Sequence, residues 1–174
     1  MSPCNIGSFY NVDKIVEVIP RILREVEDVK FVFIWHGHNK EREREKLNNL
    51  ASKLGVKEFI RNGGVVSYDK VALYHKASDV MFSVSQYDSG PVALQEAMAC
   101  GDVPVISNLS CVREWVKDGW NGLLVEPNNV NQIAESIIRL LENGQMRKTF
   151  AERNWKLIQE KGTRGEERNS NTEL

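Results

Sequence analysis

The sequence predicts an α/β protein, a doubly wound, Rossmann-like parallel sheet with helices on both faces. Two observations predict it. Short apolar runs rich in Val, Ile and Phe carry too few polar positions for a half-exposed strand, so they read as strands buried on both faces. Between them lie longer amphipathic stretches, and strands that alternate with helices form parallel sheets covered on both sides.

The elements follow in order. The opening MSPCNIGSFYN is too broken for a buried strand, yet the helix predicted at 12–26 should follow one. The first strand is therefore expected to be missing or incomplete, and Pro20 is expected to kink that helix. KFVFIW (30–35) predicts a strand, 41–54 a helix, 58–61 a weaker strand and 68–77 a helix. DVMFSVS (79–85), VPVIS (103–107) and GLLVEP (122–127) predict strands, with helices at 91–100, 111–117, 130–143 and 146–161. Beyond residue 161, GTRGEERNSNTEL has one apolar residue in thirteen. The expected organisation is one domain over 1–161 and a polar, disordered tail over 162–174.

Composition narrows the function classes. The 174 residues suit a single domain. With 23 Lys+Arg against 24 Asp+Glu, the net charge of −1 lacks the basic signature of a nucleic-acid binder and offers no field toward an anionic membrane. No run approaches the ~20 apolar residues of a transmembrane helix, and the start has neither a basic nor an apolar leader region. Cys4, Cys100 and Cys111 include no C-x-x-C pair, which predicts reduced thiols and a cytoplasmic location rather than disulfides or a zinc site. His36 and His38 around Gly37 read as loop residues, not as metal ligands.

The informative stretch is SVSQYDSGPVALQEAMACGDVPVIS, residues 83–107. It predicts strand, loop, helix and strand, with Pro91 at the first helical position and Ser89 or Gly90 as the N-cap. The free N–H groups of Val92, Ala93 and Leu94 would then lie at the carboxyl end of a strand, as an anion site or as an ordinary helix start. Apolar residues surround nearly the whole helix, so Glu96 is expected to be buried and to need a partner. Ribose hydroxyls or a structural cation would each serve. Asp88 lies at the same end of the sheet, and two acids flanking a phosphate-type helix N-terminus suit a nucleotide sugar.

Asp88-Ser-Gly-Pro-Val-Ala-Leu-Gln-Glu96, followed by Ala-Met-Ala-Cys-Gly101, resembles the acidic-x7-Glu motif of GT-B-fold retaining glycosyltransferases of the group 1 (family 4) type. Glu114, Asp118, Gly119, Asn121, Gly122, Leu124 and Val125 match a downstream pattern of the same family, and Gly64-Val65-Val66-Ser67 resembles its base-contacting loop. The resemblance runs from about residue 11 to 160.

The resemblance implies the donor-binding half of an enzyme that moves a sugar from a nucleotide sugar to a carbohydrate or lipid-linked acceptor with retention. Glu96 would bond the ribose, and Asp88, the catalytic candidate, would hold the sugar ring. Ser89, Gly90, Pro91 and Val92 would surround the diphosphate, and Gly64 and Val65 would face the base. No metal and no cofactor is implied, because helix dipoles and cations stabilise the leaving diphosphate. The acceptor would occupy a separate N-terminal domain missing from this chain. Cys4 stands where the family carries an Arg, and no Lys precedes Lys14, so the chain alone is expected to be inactive. The alternative is a truncated, non-catalytic binding or assembly module, a homo-oligomer paired through the sheet edge that a missing first strand would expose.

Overall fold

The structure, a computed structural model, describes residues 1–3, 8–35, 41–88 and 91–170. Six parallel strands, β1 (Ser2–Pro3), β2 (Phe31–Trp35), β3 (Ile60–Val65), β4 (Val80–Ser83), β5 (Val103–Ser107) and β6 (Leu123–Val125), form two ladders, β1–β2–β3 and β4–β5–β6. Among the described residues, seven α-helices accompany them: α1 (Val12–Glu25), α2 (Glu41–Lys53), α3 (Tyr68–Lys76), α4 (Val92–Ala99), α5 (Ser110–Arg113), α6 (Val130–Glu142) and α7 (Gly144–Ser170).

The ladders meet at the first residues of the chain. The Phe82 N–H donates to the Met1 carbonyl at 2.9 Å, while the Met1 ammonium donates to the Val80 carbonyl and, at 3.0 Å, to Ser78 Oγ. Strand β1 thus lies between β2 and β4, giving the spatial order β3–β2–β1–β4–β5–β6 of a Rossmann fold. This corrects the expectation that 1–11 holds no buried strand. Two residues suffice because Ser2 and Pro3 pair with Phe33 and Ile34 on one side while Met1 bonds β4 on the other. Ser2 is fully buried and small, and over it Phe82 packs on Phe33 edge-on, with ring centroids 5.9 Å apart, and tilted on Phe31 at 6.2 Å. Among the described residues, β1 therefore occupies the place between β2 and β4 that was expected to be open.

Strand residues sort by parity onto two faces, because side chains alternate along a strand. Phe31, Phe33, Val80, Phe82, Val103, Val105, Leu123 and Val125 join the core beneath α1 and α6. Met81, Ile106 and Leu124 join the core beneath α4, α5 and α7, and Ile34 packs with Val71 of α3. Helix α1 supplies Ile15, Ile19 and Ile22 at the 3.6-residue period and continues through Pro20, whose ring removes only the N–H that would reach Val16.

Other boundaries move where pairing or turn geometry overrides local pattern. The weak strand at 58–61 becomes Ile60–Val65, because β2 offers a full-length partner across Gly63 and Gly64. Gly63 is required there: a Cβ would meet Ile34 Cγ2 at 2.9 Å. The helix predicted at 111–117 shortens to four residues. Backbone 162–170, predicted as tail, continues α7, consistent with the helix propensity of its Arg and Glu residues.

Gly122 lies buried where β6 passes Pro104 and Val116, and a Cβ there would stand 2.8 Å from Pro104 Cγ and from Val116 Cγ1. Gly122→Ala should therefore destabilise the fold by about 1–3 kcal/mol through overpacking. Urea unfolding followed by tryptophan fluorescence checks this, and an unchanged midpoint would show that β6 shifts without cost.

Candidate functional site

The carboxyl ends of the parallel strands deliver three segments to one edge of the sheet, where open α/β folds place their ligands. The first is the turn from β3 into α3. Gly64 adopts φ +68°, a left-handed conformation that favours glycine, and its N–H donates to Asn62 Oδ1 at 2.9 Å. Val65 follows half-exposed, and Tyr68, opening α3, is 76% exposed.

The second segment leaves β4 through Val84 and Ser85, both buried, to Gln86 and Asp88. Gln86 fixes its path: the backbone N–H donates to the Phe9 carbonyl at 2.8 Å and Nε2 to Asn11 Oδ1 at 3.1 Å. Asn11, buried and at φ +49°, donates onward to the Pro127 carbonyl at 3.1 Å and to Asn128 Oδ1 at 3.3 Å. One hydrogen-bonded chain therefore ties the loops after β1, β4 and β6 together. The Asp88 carbonyl accepts from the Cys111 thiol at 3.3 Å, which anchors the loop to α5. Ser89 and Gly90 lie outside the described residues, as do Cys4, His36 and His38.

The third segment is α4. Pro91, not Ser89 or Gly90, is its N-cap, at φ −80° and ψ 62°, and the helix begins at Val92. A ψ of that sign is not helical, so proline serves as the last turn residue and makes no side-chain cap. The first intrahelical bond runs from the Gln95 N–H to the Pro91 carbonyl at 3.1 Å. The N–H groups of Val92, Ala93 and Leu94 precede it and have no intrahelical acceptor. Burial is one-sided: Leu94, Ala97 and Met98 face the core, whereas Val92 is exposed and Glu96 half-buried. The near-uniform burial predicted for this helix is corrected, because α3 and α7 pack on parts of α4 and leave Val92 exposed.

Glu96 nonetheless carries the polar misfit that the sequence predicts. Its Oε1 is shielded from solvent and has no hydrogen-bond partner. The Tyr68 hydroxyl lies beside the Glu96 carboxylate, whose pull on its proton as an acceptor, reinforced by the negative charge, raises the Tyr68 pKa above its ordinary value. That approach sets the amino end of α3, just after the Gly64–Val65 turn, against α4.

Other groups resolve as structural. His75 Nδ1 and Asp102 Oδ2, both fully buried, stand 3.0 Å apart and tie α3 to the turn after α4. Burial pushes the Cys100 thiol pKa up, and Cys100 and Cys111 are both free. In the 114–125 motif, Asp118 Oδ1 accepts from the Leu124 N–H at 2.9 Å. Asn121 spans the Lys117 N–H, the Trp115 carbonyl and Asn154 Oδ1. Glu114 is exposed, and its carbonyl accepts from Lys161 Nζ at 2.6 Å. These residues build a turn. Sequence reading missed Tyr68, Asn11 and Gln86, since only the fold brings their partners to them.

Replacing Glu96 with Gln removes the charge that holds Tyr68 up. Ultraviolet titration should then show the Tyr68 transition move down toward the ordinary tyrosine value, identified by its loss in Tyr68→Phe. A transition unmoved by Glu96→Gln would mean that the two groups do not touch in solution.

Comparison with known proteins gives concordant results. Residues 5–156 match the family model of glycosyl transferases group 1. An uncharacterized glycosyltransferase of Methanocaldococcus jannaschii is 32% identical over 169 residues, which cover 90% of this chain and 40% of the relative. A D-inositol 3-phosphate glycosyltransferase of Streptomyces bingchenggensis is 31% identical over 96 residues, 55% of this chain and 21% of that protein. The chain spans 40%, 41% and 37% of the lengths of three relatives it matches. Among solved structures, the C-terminal domain of a glycosyl transferase group 1 family protein (LpcC) from Francisella tularensis superposes with a TM-score of 0.83 at 20% identity, covering 92% of this chain and 84% of that one. HepE of Anabaena, in complex with UDP and glucose, gives 0.85 at 15% identity and covers 99% and 48%. At these identities the likeness is one of fold.

Proposed function

This chain belongs to the group 1 glycosyl transferases, with the fold of their C-terminal domain, and on that premise we propose that it is the donor-binding half of an enzyme that transfers a sugar, with retention, from a nucleotide sugar to a carbohydrate or lipid-linked acceptor. The observation that carries the reading is Glu96. A carboxylate oxygen withdrawn from water without a partner costs free energy, and a ribose hydroxyl would relieve that cost.

The remaining assignments follow the edge of the sheet. The Gly64–Val65 backbone would face the base. The diphosphate would approach the amino end of α4, around Ser89, Gly90, Pro91 and Val92, where main-chain N–H groups and the helix dipole favour negative charge. Asp88, on the loop before α4, would take hydroxyls of the transferred sugar. The departing diphosphate would be stabilised by these dipoles and by cations, without metal or cofactor. The acceptor would bind a preceding domain, and the cleft between the two would hold the reaction, so this half alone would bind donor without turnover. Among the described residues no helix is long and apolar enough to cross a membrane; we place the protein in the cytoplasm.

UDP is the first ligand to try, since the HepE and TarM structures contain it. Titration calorimetry of the folded chain against UDP, GDP, ADP and their sugars should show saturable binding to one base. Glu96→Gln should weaken that binding by about 1.5–3 kcal/mol, the scale of a hydrogen bond to a charged group. A folded chain that binds none of the panel would overturn the reading, and binding unchanged in Glu96→Gln would remove Glu96 from it.

A further inference from the structure

A cavity lies away from the α4 edge, between α1, α2 and the face of β2 and β3. Its volume is about 180 Å³. Val12 and Val16 of α1, Phe33 of β2, Ile60 of β3 and Leu47 and Ala51 of α2 supply apolar walls. Arg44 and Lys57 also line it, with Asn48 and Asn62, and among the described residues no acidic one does.

Two independent observations mark this as more than loose packing. Helix α2 buries one side chain, Ala51, where α1 buries six, and Leu47 and Leu50 are left only partly covered. The helix stands off the sheet, so the cavity comes from the way α2 is seated. Arg44 is the second. Its Nε is shielded from solvent and has no hydrogen-bond partner, although this cation is half-buried in the wall of the cavity. A shielded guanidinium N–H with no protein acceptor suits an anion, and the planar fork of the group matches a carboxylate best.

Size and lining restrict the rest of the ligand. An apolar cavity of about 150 Å³ can take up benzene, so this one has room for a single ring or a branched aliphatic group. We propose that the cavity between α1 and α2 is a binding site for a small organic carboxylate with an apolar body, its carboxylate on Arg44 and its body against Phe33, Val16 and Ile60. Lys57 adds positive potential without a committed contact. The site shares no residue with the donor assignments, so it stands or falls independently of them.

Benzoate is the probe, with benzyl alcohol as its uncharged analogue. Each is titrated into the full chain while the backbone amide resonances of residues 44–62 are followed by NMR. Saturable shifts with benzoate at millimolar concentration are expected, with benzyl alcohol weaker by about tenfold or more, because a charge-assisted hydrogen bond is lost. Arg44→Gln should weaken benzoate by a similar factor, and Leu47→Trp, which fills the space, should abolish it, each variant first shown to melt like the parent. The absence of saturable benzoate shifts in the parent chain overturns the proposal. So does benzyl alcohol binding as tightly as benzoate, a comparison that needs no variant to fold. Benzoate affinity retained in a folded Arg44→Gln chain overturns it equally.

Discussion

The seam at Met1–Pro3 is the constraint on which the rest of the molecule depends. A two-residue strand joins two three-stranded ladders: Ser2 and Pro3 pair with β2, and the Met1 backbone bonds Phe82 and Val80 of β4. Proline offers no N–H to a ladder, so much of the bonding to β4 falls on Met1. The aromatic contacts of Phe82 with Phe31 and Phe33 close over this seam and supply dispersion and apolar burial that so short a strand cannot. With the seam in place, the turn after β3 and the loop after β4 open onto the same edge. Without it each ladder would carry its own edge, and Glu96 would have no reason to meet Tyr68.

The chemistry at that edge follows from a local conflict between burial and polarity. Helix α4 is held by Leu94, Ala97 and Met98, and the same register leaves Glu96 half-covered beside α3. Tyr68 lies beside the carboxylate but does not satisfy Oε1. Stability alone would favour an apolar or fully bonded side chain at this position, because an unpaired buried polar atom costs on the order of 1–3 kcal/mol. Under the proposed function, a donor bound at this carboxyl edge of the parallel sheet would supply the missing partner. The Asn11–Gln86 chain contributes differently, by holding three loops in register.

Much of this arrangement was legible in the sequence, and the parts that were not share one character. The buried runs at 30–35 and 103–107 and the periodic helices at 12–26 and 130–143 carry their structure locally, so they emerged close to their observed bounds. The start of α4 did not, because Pro91 at ψ 62° is set by the path of the loop out of β4. Gly63 reads as a strand breaker on its own and becomes obligatory once Ile34 packs against it. The Asp118 and Asn121 positions were visible as a motif, yet their work is to close a turn, a role that their hydrogen bonds reveal and their spacing does not.

Periodicity and composition by themselves determined the layer architecture and the identity of Glu96 as a carboxylate out of place. Period-2 and period-3.6 patterns are properties of neighbouring residues, and a charge in an apolar helix is conspicuous without coordinates. Tertiary structure alone decided the first strand, the bond between Asn11 and Gln86 across 75 positions, the buried His75–Asp102 pair across 27, and the meeting of Tyr68 with Glu96. Each of these depends on groups far apart in the chain, and the free energy that selects them exists only once the sheet has brought them within reach.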